Sequence, residues 1–427
     1  MAIITEVGTF DGRASAGTQT ISLTSSIWDG ATPKGLIIWH GVTTAAGGDG
    51  IFDHGHFGFG MAISSASRIA FACNTNNAAA TSNSVRTSDN ANIITTWWGA
   101  YVADLDSFGA ESFVLDWSAS AAALQYNFMA IGGDGIDDIH LDVITALDED
   151  DDTTLNYTNG HNGSTIDFQP DAMICLCPNT SSEATNNDDI TGTIGMTDFT
   201  NEYSMAWWAE DNVATTDSNR IQGDNFFQTF LTGTTNGTTH CVGDNTTKIS
   251  SPGNGYSIDW VNPNYARPGK IYVLAFKTTG DDGIKVYKAA QVEDTTASRS
   301  IGFAPGGALF ASVGTTNTTK ATDCRIGVGG WDSLDNMAFA GMLDEDNVAT
   351  TDTNKIQDSN EIFKHYDHTP TLNGSATVAA DGNNLVETWA GDATARNHIA
   401  IVFGEPPADV ASTALPMAMT TYQQMRT

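Results

Sequence analysis

Apolar and polar residues alternate along much of this chain with a period of two, in short runs. Phe113-Val114-Leu115-Asp116-Trp117 places Phe113, Leu115 and Trp117 on one face, the pattern of a half-buried strand. Ile271-Tyr272-Val273-Leu274-Ala275-Phe276 is apolar at every position and reads as a strand covered on both faces. Such runs, rich in Ile, Val, Phe, Trp and Thr, return about every 8–12 residues with Gly, Asn, Asp and Thr between them, as in a sandwich or barrel. Helical spacing is scarce. It predicts short helices only over 218–230 and 353–366, with Asp217 and Asp352 as N-caps.

The strands belong to a larger repeat. Glu210-Asp211-Asn212-Val213-Ala214-Thr215-Thr216-Asp217-Ser218-Asn219-Arg220-Ile221-Gln222 returns 135 residues later, from Glu345 to Gln357, with Thr353 for Ser and Lys355 for Arg as the two differences. At the same offset upstream, Asn77, Ala79 and Thr81 align with Asn212, Ala214 and Thr216, a diverged third copy. Phe59-Gly60-Met61-Ala62, Ile194-Gly195-Met196-Thr197 and Ile326-Gly327-Val328-Gly329 precede the three copies. A strand ending in Trp117, Trp260 or Trp389 follows each. Three units result, 1–135, 136–281 and 282–405, then a segment 406–427 that matches nothing. Units of this length can each close a core. The expectation is three tandem homologous β-sandwich domains, jelly-roll or lectin-like, in an array that imitates a trimer. Pro406 and Pro407 followed by Met417, Met419, Tyr422 and Met425 suit a C-terminal anchoring arm.

Charge narrows the partners. The 427 residues hold 18 Lys+Arg against 51 Asp+Glu, a net charge of −33. Binding nucleic acid through its phosphates, or docking on anionic lipid, needs a basic footprint that this chain lacks. An excess of acid keeps a protein soluble in salt and fits a saline setting. The N-terminus has neither a basic nor an apolar stretch of a leader, and no run of about 18 apolar residues spans a membrane. The five cysteines, Cys73, Cys175, Cys177, Cys241 and Cys324, form no CxxC array, and the expectation is reduced thiols in a protein made in a cytoplasm.

No GxSxG, HExxH, P-loop or dinucleotide motif is present. No catalytic, cofactor-binding or metal-binding residue is assigned, and the expectation is a protein that is not an enzyme. Asp53-His54-Gly55-His56 offers two imidazoles and a carboxylate to a metal, though an exposed polar loop explains it more simply. Asp148-Glu149-Asp150-Asp151-Asp152 and Gly133-Asp134-Gly135-Ile136-Asp137-Asp138 offer oxygens to Ca²⁺ without EF-hand spacing, and solvated acidic loops are the plainer reading. Trp97-Trp98 and Trp207-Trp208 could stack on sugars, but in one strand only one ring of each pair points outward. The repeated Glu-Asp-Asn segment could touch a glycan or a neighbouring subunit. Asx and Ser/Thr side chains bonding their own backbone, to cap the next helix, are the favoured reading.

The pattern Pro33-Lys34-Gly35-Leu36-Ile37-Ile38-Trp39, Phe57-Gly58-Phe59-Gly60-Met61-Ala62, Phe113-Val114-Leu115-Asp116-Trp117 and Met129-Ala130-Ile131-Gly132-Gly133 resembles a repeated module of virion surface proteins of tailed bacteriophages from marine and metagenomic sources. Through its three copies the resemblance covers nearly the whole chain, most loosely in the third. It implies a structural protein in a virion assembled in the host cytoplasm, with other virion proteins, the major capsid protein or tail proteins, as partners. Capsid decoration or cement is the leading role. A tail fibre or receptor-binding protein with lectin-like domains for host surface glycans is the alternative.

Overall fold

A computed structural model describes residues 2–405 except 45–48, 97–100, 120–123, 146–152, 159–165, 180–184, 231–238, 250–253, 262–268, 281–282, 292, 367–370 and 392–393. Among the described residues the chain is all-β, with one helical turn, α1 (Ser25–Trp28), and no helix long and apolar enough to cross a membrane. The first third contributes β1 (Ile4–Asp11), β2 (Gly17–Ser22), β3 (Pro33–Thr44), β4 (Gly50–Asp53), β5 (Gly55–Ser64), β6 (Ser67–Thr75), β7 (Ser84–Asp89), β8 (Val102–Gly109), β9 (Ser112–Ala119) and β10 (Leu124–Gly132). The second contributes β11 (Ile136–Thr145), β12 (Thr153–Thr158), β13 (Ala172–Cys177), β14 (Asn187–Asp188), β15 (Ile190–Thr197), β16 (Glu202–Ala209), β17 (Ser218–Gly223), β18 (Phe227–Phe230), β19 (Thr239–Lys248), β20 (Gly255–Val261) and β21 (Lys270–Thr278). The last contributes β22 (Ile284–Ala290), β23 (Thr296–Ser300), β24 (Ala304–Ser312), β25 (Ala321–Thr322), β26 (Cys324–Asp332), β27 (Met337–Asp344), β28 (Thr353–Asp358), β29 (Phe363–Tyr366), β30 (Leu372–Asp381), β31 (Asn384–Ala390) and β32 (Asn397–Glu405).

One strand order occurs three times. The large sheets run β1-β10-β3-β5-β6-β7-β14, β11-β21-β13-β15-β16-β17-β25 and β22-β32-β24-β26-β27-β28-β4. Each faces a small sheet of its own unit: β2-β9-β8, β12-β20-β19-β18 or β23-β31-β30-β29. The seventh strand of every large sheet comes from another unit. The first unit receives β14 from the second, the second receives β25 from the third, and the third receives β4 from the first. The exchanges therefore close into a ring.

Alternation along the strands explains the layering. On β3, Leu36 and Ile38 pack with Phe113, Leu115 and Trp117 of the small sheet, while Ile37 and Trp39 point the other way. On β21, Ile271, Val273 and Ala275 fill the second sandwich, and Tyr272, Leu274 and Phe276 leave it on the far side. The outward sets of all three units meet in one shared core, where Trp207 lies edge-on to Phe57 and Phe71 of the first unit, and Phe276 to Phe403 of the third. Each unit thus has its own core, and a further one belongs to the ring. Each large side chain buried there contributes about 1.5–3 kcal/mol.

The helices expected over 218–230 and 353–366 are strands instead: β17 with β18, and β28 with β29. Ile221 and Ile356 are buried, and their strands are held between two neighbours each, so ladder pairing outweighs local propensity. Asp217 and Asp352 cap no helix; each accepts a side-chain N–H, from Asn219 and Asn354.

Packing also resets the alignment of the third copy. A Cβ on Gly60, Gly195 or Gly329 would stand 1.9, 1.7 or 1.9 Å from the carbonyl oxygen of Ile93, Phe226 or Ile362, a chain segment crossing the sheet. Gly329, and not Gly327, is therefore the counterpart of Gly60.

Candidate functional site

The repeated Glu-Asp-Asn segment lies where the units join, and it bonds across the joint as well as to its own backbone, where Glu210 N donates to Asp217 O and Glu345 N to Asp352 O. Ser82 Oγ donates to Glu210 O at 2.8 Å and accepts from Val213 N at 3.0 Å. Thr216 Oγ1 donates to Glu345 O at 2.6 Å and accepts from Val348 N at 3.0 Å. Thr351 Oγ1 donates to Asn76 O at 2.5 Å and accepts from Ala79 N at 2.8 Å. Paired backbone bonds accompany each hydroxyl: Asn212 N to Ser82 O, Asn347 N to Thr216 O and Ala78 N to Thr351 O. The accepting loop turns through a left-handed residue at the same place, Ala78, Asn212 or Asn347. These hydrogen bonds correspond position by position at the three joints, so Ser82, and not Thr81, is the counterpart of Thr216 and Thr351.

A relay supports each joint. Asp189 Oδ1 accepts from Asp211 N at 2.9 Å, and Asp211 Oδ1 accepts from Ser84 N of the first unit at 2.8 Å. Asp323 Oδ1 accepts from Asp346 N at 3.1 Å, and Asp346 Oδ1 from Ser218 N of the second unit at 3.0 Å. At the third joint His54 Nδ1 accepts from Asn77 N at 3.0 Å, and Asn77 Oδ1 from Thr353 N of the third unit at 3.1 Å. Asp189, Asp323 and His54 each follow the exchanged strand directly, with φ of 63, 63 and 65°. Burial, together with neighbouring carboxylates, raises the Asp211 and Asp346 carboxyls above the ordinary range, partly offset by the N–H donors.

A cation clasps the incoming strand. Arg86 donates to Asp189 O at 2.6 Å, to Pro178 O and Asn179 O at 3.0 Å each, and to Asp188 O. Arg220 donates to Asp323 O at 2.9 Å and to Thr322 O. Their counterpart is Lys355, a residue whose charge burial disfavours and Asp53 supports. The third joint compensates in length: β4 pairs with β28 over four residues, whereas β14 and β25 pair over two.

Asp53-His54-Gly55-His56 thus divides in two: Asp53 and His54 are exposed at the bend between β4 and β5, as a polar loop would be, while Gly55 and His56 are buried. Asp53 ends the exchanged strand β4, His54 is the relay residue, and His56 is buried in β5. Among the described residues no three His, Cys, Asp or Glu side chains gather where they could hold a metal ion. Asp134, Asp137 and Asp138 are exposed around the start of β11. Residues 148–152, Trp97, Trp98 and the 406–427 arm lie outside the described residues. Trp207 and Trp208 are both 0% exposed: one faces the shared core and the other packs on Ile221 and Phe230, so neither ring is available to a sugar. Cys73, Cys175, Cys177 and Cys324 are buried free thiols, and burial pushes Cys73 and Cys177 up to about 12.

One buried cluster has the residue types of a catalytic site. Glu387 accepts from Tyr287 Oη at 2.8 Å and Arg299 Nη2 at 3.1 Å, and its Oε1 lies 2.9 Å from His398 Nε2. Burial pushes this carboxyl up, but His398, Arg299 and Tyr287 outweigh burial and hold it down to about 2. Glu387 and His398 are 0 and 1% exposed, which leaves no approach for a substrate. The cluster ties the two sheets of the third unit together. The polar constellation of the joint, by contrast, recurs at three places.

The joints were legible in part. The hydroxyl, carboxylate and cation positions all fall within the thirteen-residue repeat, and the Ser/Thr and Arg/Lys exchanges there already preserve chemistry. The relay residues Asp189, Asp323 and His54 share no sequence signal. Comparison with known proteins finds no family model, no curated protein and no solved structure that matches this chain.

Proposed function

We propose that this chain is a non-enzymatic structural protein on the outer surface of a tailed-phage particle, serving as a head decoration or cement protein. The observation that carries the reading is the closed exchange of edge strands. Three homologous domains interlocked in this way form a pseudo-trimer in a single chain. A body of near three-fold symmetry suits a local three-fold position of a capsid lattice, where it meets three copies of one capsid surface. Capping each large sheet with a strand from a neighbour leaves fewer free edges for unwanted pairing, an advantage in a densely covered shell. A net charge of −33 keeps the surface soluble and away from packaged DNA. The partner is then the major capsid protein. A receptor-binding role on a tail fibre would use lectin-like faces of the sandwiches, and burial of Trp207 and Trp208 removes one pair of rings that could stack on a glycan there.

The test is quantitative mass spectrometry of purified particles, with this chain counted against the major capsid protein. Decoration requires hundreds of copies in a fixed ratio to the capsid subunit. A handful of copies would move the chain to the tail tip, and its absence from particles would overturn the reading altogether.

A further inference from the structure

The second and third units close one end of their sandwiches with matching backbone and different chemistry. In the second unit the groups are neutral: Asn179 Nδ2 donates to Phe230 O at 2.9 Å, and Gly269 lies against Asn179. Register along the large sheets puts Gly314 at the place of Asn179, Arg396 at that of Gly269 and Arg325 at that of Thr191. Arg325 Nη1 therefore makes in the third unit the bond that Asn179 makes in the second, donating to Tyr366 O at 2.9 Å. His365 stands where the second unit has Thr229. A neutral corner is replaced by a cationic one, in a chain whose net charge is −33.

The clasping arginine at this joint is satisfied differently as well. At the first joint Arg86 Nε and Nη2 donate to Pro178 O and Asn179 O. Arg220 makes no bond to Val313 or Gly314, the matching residues. Its acceptors are Thr322 O, Asp323 O and Asp323 Oδ2, and its buried Nε meets none. Arg325 likewise leaves a buried Nε without an acceptor, and its Nη2 lies 3.7 Å from Asp323 Oδ2. A Cβ on Gly314 would stand 3.4 Å from Arg325 Cδ and 3.7 Å from Arg396 Nη1, so two guanidinium side chains flank one bare glycine. Arg396 is 5% exposed. Three guanidinium groups thus crowd together, with the Asp323 carboxylate shared between Arg220 and Arg325. Burial and the charge of Arg325 outweigh Asp323 and bring Arg220 down to about 10, the mark of like charges held close.

Beside these groups is a cavity of about 20 Å³, bordered by Arg325, Ser312, Gly314, His365 and Tyr366. Lys364 also borders it and is paired with Asp358 and Glu361. The space admits one particle of about water size and is too small for phosphate or sulfate. A water there would accept from an orphan N–H and leave the charges as they are. A monatomic anion would accept the same bond, strengthened by charge, and offset the crowding of the three cations. We propose that the joint between the second and third units binds one halide ion, chloride in a saline medium, in the cavity beside Arg325, with Arg220 and Arg396 contributing to its attraction. The first joint has Thr191 and Gly269 at the two added arginine positions and takes no such ion.

Two measurements on the full chain test this. Crystals grown with bromide in place of chloride should show an anomalous scattering peak within hydrogen-bonding reach of Arg325, and none at the matching place beside Thr191. In solution, denaturant unfolding is compared in sodium chloride and in sodium gluconate of equal ionic strength. Chloride at 100 times its dissociation constant should raise the folded-to-unfolded ratio about 100-fold, and the gain should saturate. The double variant Gly314→Asn with Arg325→Thr rebuilds the second unit's neutral corner and should keep less than about threefold of that gain. Where the variant fails to fold, the bromide peak in the unaltered chain decides alone. No peak at Arg325, equal unfolding in chloride and gluconate, a gain from sulfate that chloride does not give, or a chloride gain undiminished in the folded variant would overturn the proposal. It stands independently of any role on a particle.

Discussion

At the scale of single residues, three equivalent glycines, Gly60, Gly195 and Gly329, leave no room for a side chain. Each lies under a backbone carbonyl of the segment crossing its sheet, so a methyl group there meets an atom that no rotamer change can move. Gly195→Ala is expected to cost about 3 kcal/mol, read as a lower denaturant midpoint, with Gly60→Ala and Gly329→Ala close behind. Gly35→Ala is the control, because its nearest neighbour is the flexible end of Ile139 at 3.1 Å. Equal behaviour of Gly195→Ala and Gly35→Ala would mean that the crossing segment is not fixed over the sheet. These glycines were visible in the sequence as a repeated Gly beside an apolar strand. Their alignment in the third copy was not, because Ile326-Gly327-Val328-Gly329-Gly330 offers three glycines, and only the carbonyl of Ile362 selects Gly329.

Strands show why some elements were legible and others were not. Residues 271–276 and 113–117 announce themselves because burial on two faces or one writes an unbroken or alternating apolar pattern. The exchanged strands β14 and β25 are Asn187-Asp188 and Ala321-Thr322, two residues each with no apolar signal, held by side chains of the receiving unit. β17 and β28 bury Asn219, Gln222 and Gln357 at the joints, and strands with polar buried positions mimic helical spacing. What holds such an edge is the clasping cation, and here Arg and Lys differ. The guanidinium of Arg86 reaches four carbonyl oxygens, and an ammonium cannot span them. Arg86→Lys should therefore cost about 2 kcal/mol by chemical denaturation. A cost below about 0.5 kcal/mol would show that β14 is held by its backbone pairs alone.

For the whole molecule, the shared core decides whether a unit can stand alone. An isolated second unit, residues 136–281, would expose Ile174, Ile194, Met196, Met205, Trp207 and Leu274 on one face, a patch that soluble monomers do not carry. The same unit is self-complementary. Its Thr216, Ser218 and Arg220 match the Ser82, Ser84 and Arg86 that its own Glu210, Asp211 and Asp188–Asp189 meet in the intact chain. Three copies can then repeat one joint three times and close a true three-fold ring around a core of their own. Residues 136–281 produced alone should sediment as a trimer, and Arg220→Ala in that fragment should shift it towards aggregate, because an open shared face has no other way to leave water. A stable, soluble monomer would show that each sandwich is sufficient in itself. The shared core would then follow from covalent linkage, and the interlocked joints would not be what makes the ring.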